Sequence, residues 1–64
     1  MSDFIMLKDA ISQEQILIRK SQIFSVEETV MSNGLPVRRV NFIDSKRGSE
    51  LVYESLNAIA ELLS

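Results

Sequence analysis

Apolar residues gather near the start of the chain. The segment DFIML, Asp3–Leu7, is apolar enough to form a buried strand. A helix is the alternative, because Phe4, Leu7 and Ile11 also recur at helical spacing and Ser2 could cap them. We expect the strand and leave the helix open for residues 3–11.

Polar residues separate this segment from a second, shorter apolar run. KDAISQE, Lys8–Glu14, predicts a connection, although Ser12 followed by Gln15 also has the spacing of a helix capping box. The run ILI, Ile16–Ile18, is short and rich in β-branched residues, which favours a strand. RKSQ, Arg19–Gln22, interrupts the apolar pattern and predicts a turn.

The segment IFSVEETVM, Ile23–Met31, alternates between apolar and polar positions. Phe24, Val26 and Val30 share one side of a strand, and polar residues occupy the other, as expected when one face is buried. Glu28 falls on the apolar side. Either the strand passes the edge of its sheet there, or a bulge shifts the register.

A hairpin signal follows this strand. Asn33 and Gly34 both tolerate the positive φ angles of a type I′ turn, so they predict a tight connection to the next strand. Proline cannot donate a hydrogen bond to a neighbouring strand. We therefore expect the returning strand to begin at an edge position or only after Pro36.

Alternation resumes in the returning strand. Val40 and Phe42 lie on one face and Arg39 on the other. Val37 and Ile43 share the face of Arg39, which suggests that a partner subunit half covers this face.

The last part of the chain predicts a turn, a strand and a helix. Asp44 and Gly48 suit the first and the left-handed positions of a turn. SELVY, Ser49–Tyr53, is a short strand. Ser55 can cap a helix over Leu56–Leu63, whose apolar residues recur at helical spacing.

These elements predict an α+β fold, a small antiparallel β-meander of three to five strands with one C-terminal α-helix, in one domain over residues 1–64.

A chain of 64 residues barely offsets its ordering entropy by burying apolar surface. Without cysteine or histidine, disulfides are excluded and structural zinc nearly so. Oligomerisation is the remaining common source of stability, so we expect a homo-oligomer, with a dimer favoured.

The net charge and the hydropathy pattern limit the partners and the cellular locations that fit this sequence. The net charge is −2, so any nucleic-acid binding needs a local basic patch. No apolar run approaches the roughly 18 residues that span a bilayer, and no basic segment followed by an apolar one opens the chain. We expect a cytoplasmic protein without membrane contact.

The residue types available for catalysis are few. Histidine and cysteine are absent, and the adjacent acids Glu27 and Glu28 would point to opposite faces of a strand. The glycines Gly34 and Gly48 stand alone in turns, so no phosphate-cradling loop is present. We predict a protein that is not an enzyme and has no cofactor; a site shared between subunits is the remaining enzymatic arrangement.

Basic residues concentrate between Arg38 and Arg47. Strand neighbours point to opposite faces, so Arg38 and Arg39 cannot line one patch. Arg39, Lys46 and Arg47 could form a three-charge cluster that binds a nucleic acid or nucleotide. Solubility and protection of a sheet edge are the alternative and favoured explanation of these charges.

The three phenylalanines, Phe4, Phe24 and Phe42, admit two interpretations. They could form a stacking platform for single-stranded bases. Each also lies on the apolar side of a predicted strand, and we therefore expect all three to pack in the core.

The order of these features resembles the small flagellar-operon and swarming-motility proteins of bacteria. The matching segments are FIML at Phe4–Leu7, IFSVEE at Ile23–Glu28, the turn glycine Gly48, and LVYES at Leu51–Ser55 followed by LNAIAELL. The segment ETVMSNGLPVRR is additional and lengthens the central hairpin. The resemblance implies a shared architecture and a non-enzymatic role.

The sequence thus predicts a small interaction or regulatory protein that forms a homo-oligomer and binds another protein through its sheet edge or helix. The alternative is binding of nucleic acid or nucleotide by the cluster of Arg39, Lys46 and Arg47.

Overall fold

The computed structural model describes residues 3–44 and 46–64 and confirms the α+β fold class. Within these residues a short 3-10 helix, Lys20–Gln22, follows the second of five strands. The elements, in chain order, are β1 (Phe4–Lys8), β2 (Gln15–Arg19), β3 (Ile23–Val30), β4 (Pro36–Phe42), β5 (Ser49–Val52) and α1 (Leu56–Leu63). They form two antiparallel sheets, β1-β2 and β3-β4-β5.

The first hairpin shows the period of two that distinguishes a strand from a helix. Ile5 lies opposite Ile18 and both are buried, whereas Met6 lies opposite Leu17 and both are exposed. The predicted strand is therefore confirmed, and the helical alternative over residues 3–11 is wrong. Its proposed cap, Ser2, lies outside the described residues.

The connection between β1 and β2 is a turn organised by Asp9. Its Oδ1 accepts the backbone N–H groups of Ile11 at 2.7 Å and Ser12 at 3.0 Å. Gln13 takes a positive φ of 63°. The capping-box alternative at Ser12 is wrong, because the Ser12 hydroxyl accepts the N–H of Glu14 within this turn instead of starting a helix.

The second sheet is a meander with β4 in the centre. Its first turn differs from the predicted type I′: Gly34 has a φ of 87°, but Asn33 does not take a positive φ. The Gly34 N–H donates to Met31 O at 2.9 Å, and the Met31 N–H donates to Leu35 O at 2.9 Å. This pattern is that of a three-residue loop closed by a glycine bulge. Pro36 begins β4, as expected.

The second turn confirms the prediction from Asp44 and Gly48. The Arg47 N–H donates to Asp44 O at 3.0 Å, and the Lys46 N–H donates to Asp44 Oδ1 at 3.0 Å. Gly48 has a φ of 81°, a conformation that costs glycine little.

Burial along β4 follows the predicted alternation, with one exception. Val40 and Phe42 are buried on the face opposite Arg39. Val37 lies on the side of Arg39, yet it is fully buried within one chain. It needs no partner subunit to cover it. Ile43, also assigned to that side, is exposed.

A bridge between Asp9 and Val52 joins the two sheets. The Ala10 N–H donates to Leu51 O at 2.7 Å, and the Tyr53 N–H donates to Lys8 O at 3.0 Å. The end of β1 therefore lies beside the end of β5, and the two sheets meet there. Their inward faces enclose one core.

Helix α1 begins as predicted from its cap. The Ser55 hydroxyl accepts the N–H of Ala58 at 3.1 Å, and Ile59 is the buried residue of the helix. Together with residues from four strands it forms the core, and Leu63 packs against it. The buried core residues are Ile5, Leu7, Ile18, Val40, Phe42, Val52 and Ile59.

Candidate functional site

An apolar groove of about 610 Å³ runs between β3 and α1. Ile59 is buried and Ile23, Val26 and Leu63 are half-buried, so these side chains form its floor. Its rim is formed by the half-buried Lys20 and by the exposed residues Phe24, Ser25, Leu56, Asn57 and Ala60. We call this feature the groove.

Phe24 is the most exposed large apolar side chain in the described part of the chain, at 76%. The expectation that it packs in the core is wrong. The register of β3 against β4 shifts between Ile23 and Ser25, so Phe24 has no residue opposite it. A bulge, which the pattern suggested at Glu28, therefore lies at Phe24, and it turns this side chain away from the buried face.

The lining of the groove has few charged groups. Lys20 is the one charged residue of its lining, and no carboxylate is among the lining residues. The Ser25 hydroxyl already accepts the Asn41 amide at 3.1 Å. The groove is therefore a mainly apolar surface with one charged residue in its lining.

A second apolar surface lies on the outer side of the β1-β2 hairpin. Met6 and Leu17 face each other across the strands and are exposed. Beside them the Arg19 guanidinium lies 4.8 Å from the centre of the Phe4 ring, and Phe4 is partly exposed, which corrects its expected core position. We call the surface of these four residues the hairpin face.

The structure brings together two carboxyl groups that are 41 residues apart in the sequence, Asp9 and Glu50. The Ser12 N–H, with a hydrogen bond from Glu50, holds the pKa of Asp9 below its usual value. The hydrogen bond to Asp9 and burial raise the pKa of Glu50. When the pair holds one proton, the favoured state therefore has an ionised Asp9 and a neutral Glu50.

This carboxyl pair has a structural use. Asp9 is buried and holds the turn after β1 through two backbone N–H groups. The two residues are far apart in sequence and meet only because Asp9 bridges to β5. The adjacent acids behave as predicted: Glu27 pairs with Arg39 at 3.3 Å and Glu28 with Arg38 at 4.0 Å, on opposite faces.

The three residues of the predicted basic cluster are spread over two sides of the sheet. Arg39 lies on the face opposite Phe42 and contacts Glu27. The Arg47 guanidinium stacks 4.2 Å from the centre of the Phe42 ring. Lys46 is exposed in the turn between β4 and β5. The structure does not bring Arg39 and Arg47 together on one face, and binding of phosphate by any of the three stays a prediction.

Arg38 has a role that the sequence did not reveal. Its side chain is only 14% exposed, and its Nε donates to Glu54 O at 2.7 Å while Nη2 donates to Tyr53 O. The Glu54 carboxylate in turn accepts the Lys8 N–H at 3.0 Å. We call this meeting of β1, β4, β5 and the start of α1 the junction.

Tyr53 completes the junction. Its hydroxyl donates to Ala10 O at 3.3 Å, which supplies the partner that a half-buried phenol needs. In residues 3–44 and 46–64, no buried side-chain nitrogen or oxygen lacks a hydrogen-bond partner.

The described residues contain no cluster of three or more acidic, histidine or cysteine side chains placed to hold a metal ion. No helix among them has the length and apolar character needed to cross a membrane. Comparison with protein-family models, curated proteins and solved structures gives no match for this chain, so its function must be argued from its own residues.

Proposed function

We propose that the protein is a small, non-enzymatic interaction protein of the cytoplasm, which acts as a homo-oligomer, most simply a dimer, and binds another protein. The observation that carries this proposal is the groove, with the Phe24 ring held in solvent beside an apolar trough. Removing one aromatic side chain from water contributes roughly 1.5–3 kcal/mol, so such a surface favours association.

The balance of buried and exposed apolar side chains supports the same conclusion. Of the described residues, nine apolar ones are buried, whereas ten large apolar ones are exposed. Scattered exposed apolar residues are ordinary, but here several gather on the groove and the hairpin face. A chain of this size gains from covering them with a second protein surface.

The two surfaces differ in charge, which supports different partners for them. Basic side chains border the hairpin face: Arg19 stacks on Phe4, and Lys8 lies nearby with its amine 5.8 Å from the Tyr53 ring centre. This rim fits a protein partner that carries carboxylates around an apolar contact. We assign self-association to the groove, whose lining contains one lysine and no carboxylate.

The nucleic-acid alternative has less support. Arg39 is paired with Glu27, and Arg47 lies on the other face of the sheet over Phe42. A single chain therefore offers phosphates at most scattered contacts. Such binding would be weak and would fall steeply with salt.

The oligomer is tested by size exclusion with light scattering over a hundredfold range of concentration. We expect the measured mass to rise from that of one chain towards that of two, because dimerisation follows mass action. A mass of one chain at every concentration contradicts the proposed oligomer.

The protein partner is tested by affinity capture from the native host. We expect the wild-type bait to retain a partner that Leu17→Asp, which places a carboxylate in the hairpin face, releases. Retention of the same partner by both baits contradicts the assignment of the hairpin face.

A further inference from the structure

Phe24 projects from the protein because of the bulge in β3. Ile23 lies opposite Phe42 and Ser25 opposite Asn41, which leaves Phe24 as an extra residue outside the ladder. Bulges redirect side chains in this way. The result is a single aromatic ring that stands clear of its own chain, at 76% exposure.

The groove beside Phe24 has the shape and chemistry to accept such a ring. Its floor is apolar, from Ile23, Val26 and Ile59, and its volume of about 610 Å³ exceeds that of one aromatic side chain. Leu56 and Ala60 extend the apolar lining along α1. A ring that entered here would be in contact with side chains of both β3 and α1.

The projecting ring and the groove belong to the same surface, since Phe24 itself is one of the residues that line the groove. A two-fold symmetric interface requires this arrangement, because each copy must present both the group that inserts and the site that receives it. A surface with the two features on different sides would give a head-to-tail contact instead, which either closes into a ring or continues as an open chain.

Charge favours contact through the groove over pairing of two β3 edges. Antiparallel pairing of β3 with its copy would bring Glu27 and Glu28 of both chains close to one another, and like charges across strands are destabilising. The groove carries only Lys20. The hairpin face, with Arg19 and the nearby Lys8, would also gather like charges if it met its own copy.

A specific dimer would cover a modest share of the surface of this chain. Stable interfaces bury about 800 Å² per partner, roughly a fifth of the 4487 Å² exposed by this chain. Phe24 and the apolar side of α1 supply a central apolar contact. Lys20, Ser25 and Asn57 supply the polar rim that such interfaces have.

The geometry points to a second copy of this chain as the occupant of the groove: Phe24 of each copy inserts between β3 and α1 of the other. This inference rests on the proposed homo-oligomer and specifies its interface. The ring is the anchor of the contact, and each substitution at Phe24 acts twice in one dimer.

The test compares Phe24→Ser with Leu17→Ser, a matched loss of an exposed apolar side chain on the hairpin face. Dimer dissociation constants come from sedimentation equilibrium, and far-UV circular dichroism checks the fold. We expect Phe24→Ser to weaken dimerisation at least about 100-fold, as loss of a central aromatic anchor does in both halves of the interface. Leu17→Ser should leave the constant within about twofold.

A conservative variant gives a second readout. The chain has no tryptophan, so Phe24→Trp places a single indole at the site. We expect this variant to dimerise and its emission to shift to shorter wavelength as the concentration rises. This measurement decides the question even if Phe24→Ser fails to fold.

Four results would overturn the inference. Dimerisation that survives Phe24→Ser, or that is lost in Leu17→Ser, places the interface elsewhere and leaves the homo-oligomer intact. A tryptophan emission that does not change while the protein dimerises has the same meaning. A wild-type chain that is monomeric throughout contradicts the homo-oligomer itself and, with it, a second copy in the groove.

Discussion

The start of α1 and the side of α1 that lines the groove are held by different kinds of contact. At the junction, where the helix starts, Arg38 donates to the backbone of the segment after β5, and the Glu54 carboxylate accepts a backbone N–H of β1. Along the groove, the helix instead faces β3 across apolar side chains that remain partly in water. The junction sets where the helix lies, since its hydrogen bonds are directional. The groove leaves room for a second protein surface.

This difference shows how a small chain divides its polar and apolar groups. The Arg38 hydrogen bonds at the junction satisfy partly buried groups, and a fully buried polar group without a partner costs about 1–3 kcal/mol. Apolar burial has no such directional demand, so it can be completed by another molecule. Stability of the monomer should depend on the junction and core, and association should depend on the groove.

The largest expected effect comes from comparing two phenylalanines. Phe42 is 6% exposed and Phe24 is 76% exposed. Phe42→Ala should cost about 3–5 kcal/mol, which approaches the whole stability of a domain this small, whereas Phe24→Ala should cost less than about 1 kcal/mol. Urea unfolding of the dilute monomer measures both.

Equal losses in the free energy of unfolding of the two phenylalanine variants would contradict this prediction, because the groove would then be part of the core. Circular dichroism before the titration shows whether Phe42→Ala folds at all. A variant that is unfolded without urea fits the prediction.

The next effect compares two neighbouring arginines. Arg38→Ala removes donors from Tyr53 O and Glu54 O, so we expect a loss of about 2–3 kcal/mol. Arg39→Ala removes only an exposed pair with Glu27, its side chain being 43% exposed, and should cost less than about 1 kcal/mol. Thermal unfolding of both variants decides whether the junction holds the helix.

A loss for Arg39→Ala as large as that for Arg38→Ala would show that the junction has no special part in stability. Dimerisation of a folded Arg38→Ala variant should also weaken, because the groove needs α1 in place.

The smallest effect concerns Glu50, whose pKa the hydrogen bond to Asp9 and burial raise. Folding therefore favours the neutral acid, and this contribution is lost as the pH rises through the folded pKa. Asp9, with its pKa lowered chiefly by the Ser12 N–H, contributes above its unfolded pKa and loses that contribution as the pH falls.

Glu50→Gln keeps a donor for Asp9 and removes the ionisation. We expect it to raise the free energy of unfolding by about 0.5–1 kcal/mol at pH 7, with the gain disappearing below about pH 3, where Glu50 is neutral in both states. Urea unfolding at several pH values measures this. Glu61→Gln, on an exposed part of α1, is the control and should change the free energy by at most about 0.5 kcal/mol. A gain from Glu50→Gln that does not depend on pH contradicts the shared proton.

Local patterns predicted most elements of this fold. The short β-branched run Ile16–Ile18 lies in β2, Ser55 caps α1, and Asp44 with Gly48 makes the last turn. Each of these depends on residues within a few positions of one another. Strand alternation also placed Arg38 and Arg39 on opposite faces correctly.

The candidate site was harder to predict. Alternation assigned Phe24 to the core, but one extra residue in β3 reversed its direction. Nothing in the local sequence marks that bulge, because it depends on how β3 pairs with β4. The groove is equally non-local, since its two sides come from β3 and from α1.

The sequence by itself determined the kinds of element, their order, their caps and turns, and the scarcity of catalytic residue types. Tertiary structure alone decided that Asp9 meets Glu50, that Arg38 holds the start of the helix, and that Phe24 faces solvent beside a groove. The physical reason is distance along the chain. Dihedral preferences and capping act over a few residues, whereas pairing register, burial and charge sharing depend on residues that only folding brings together.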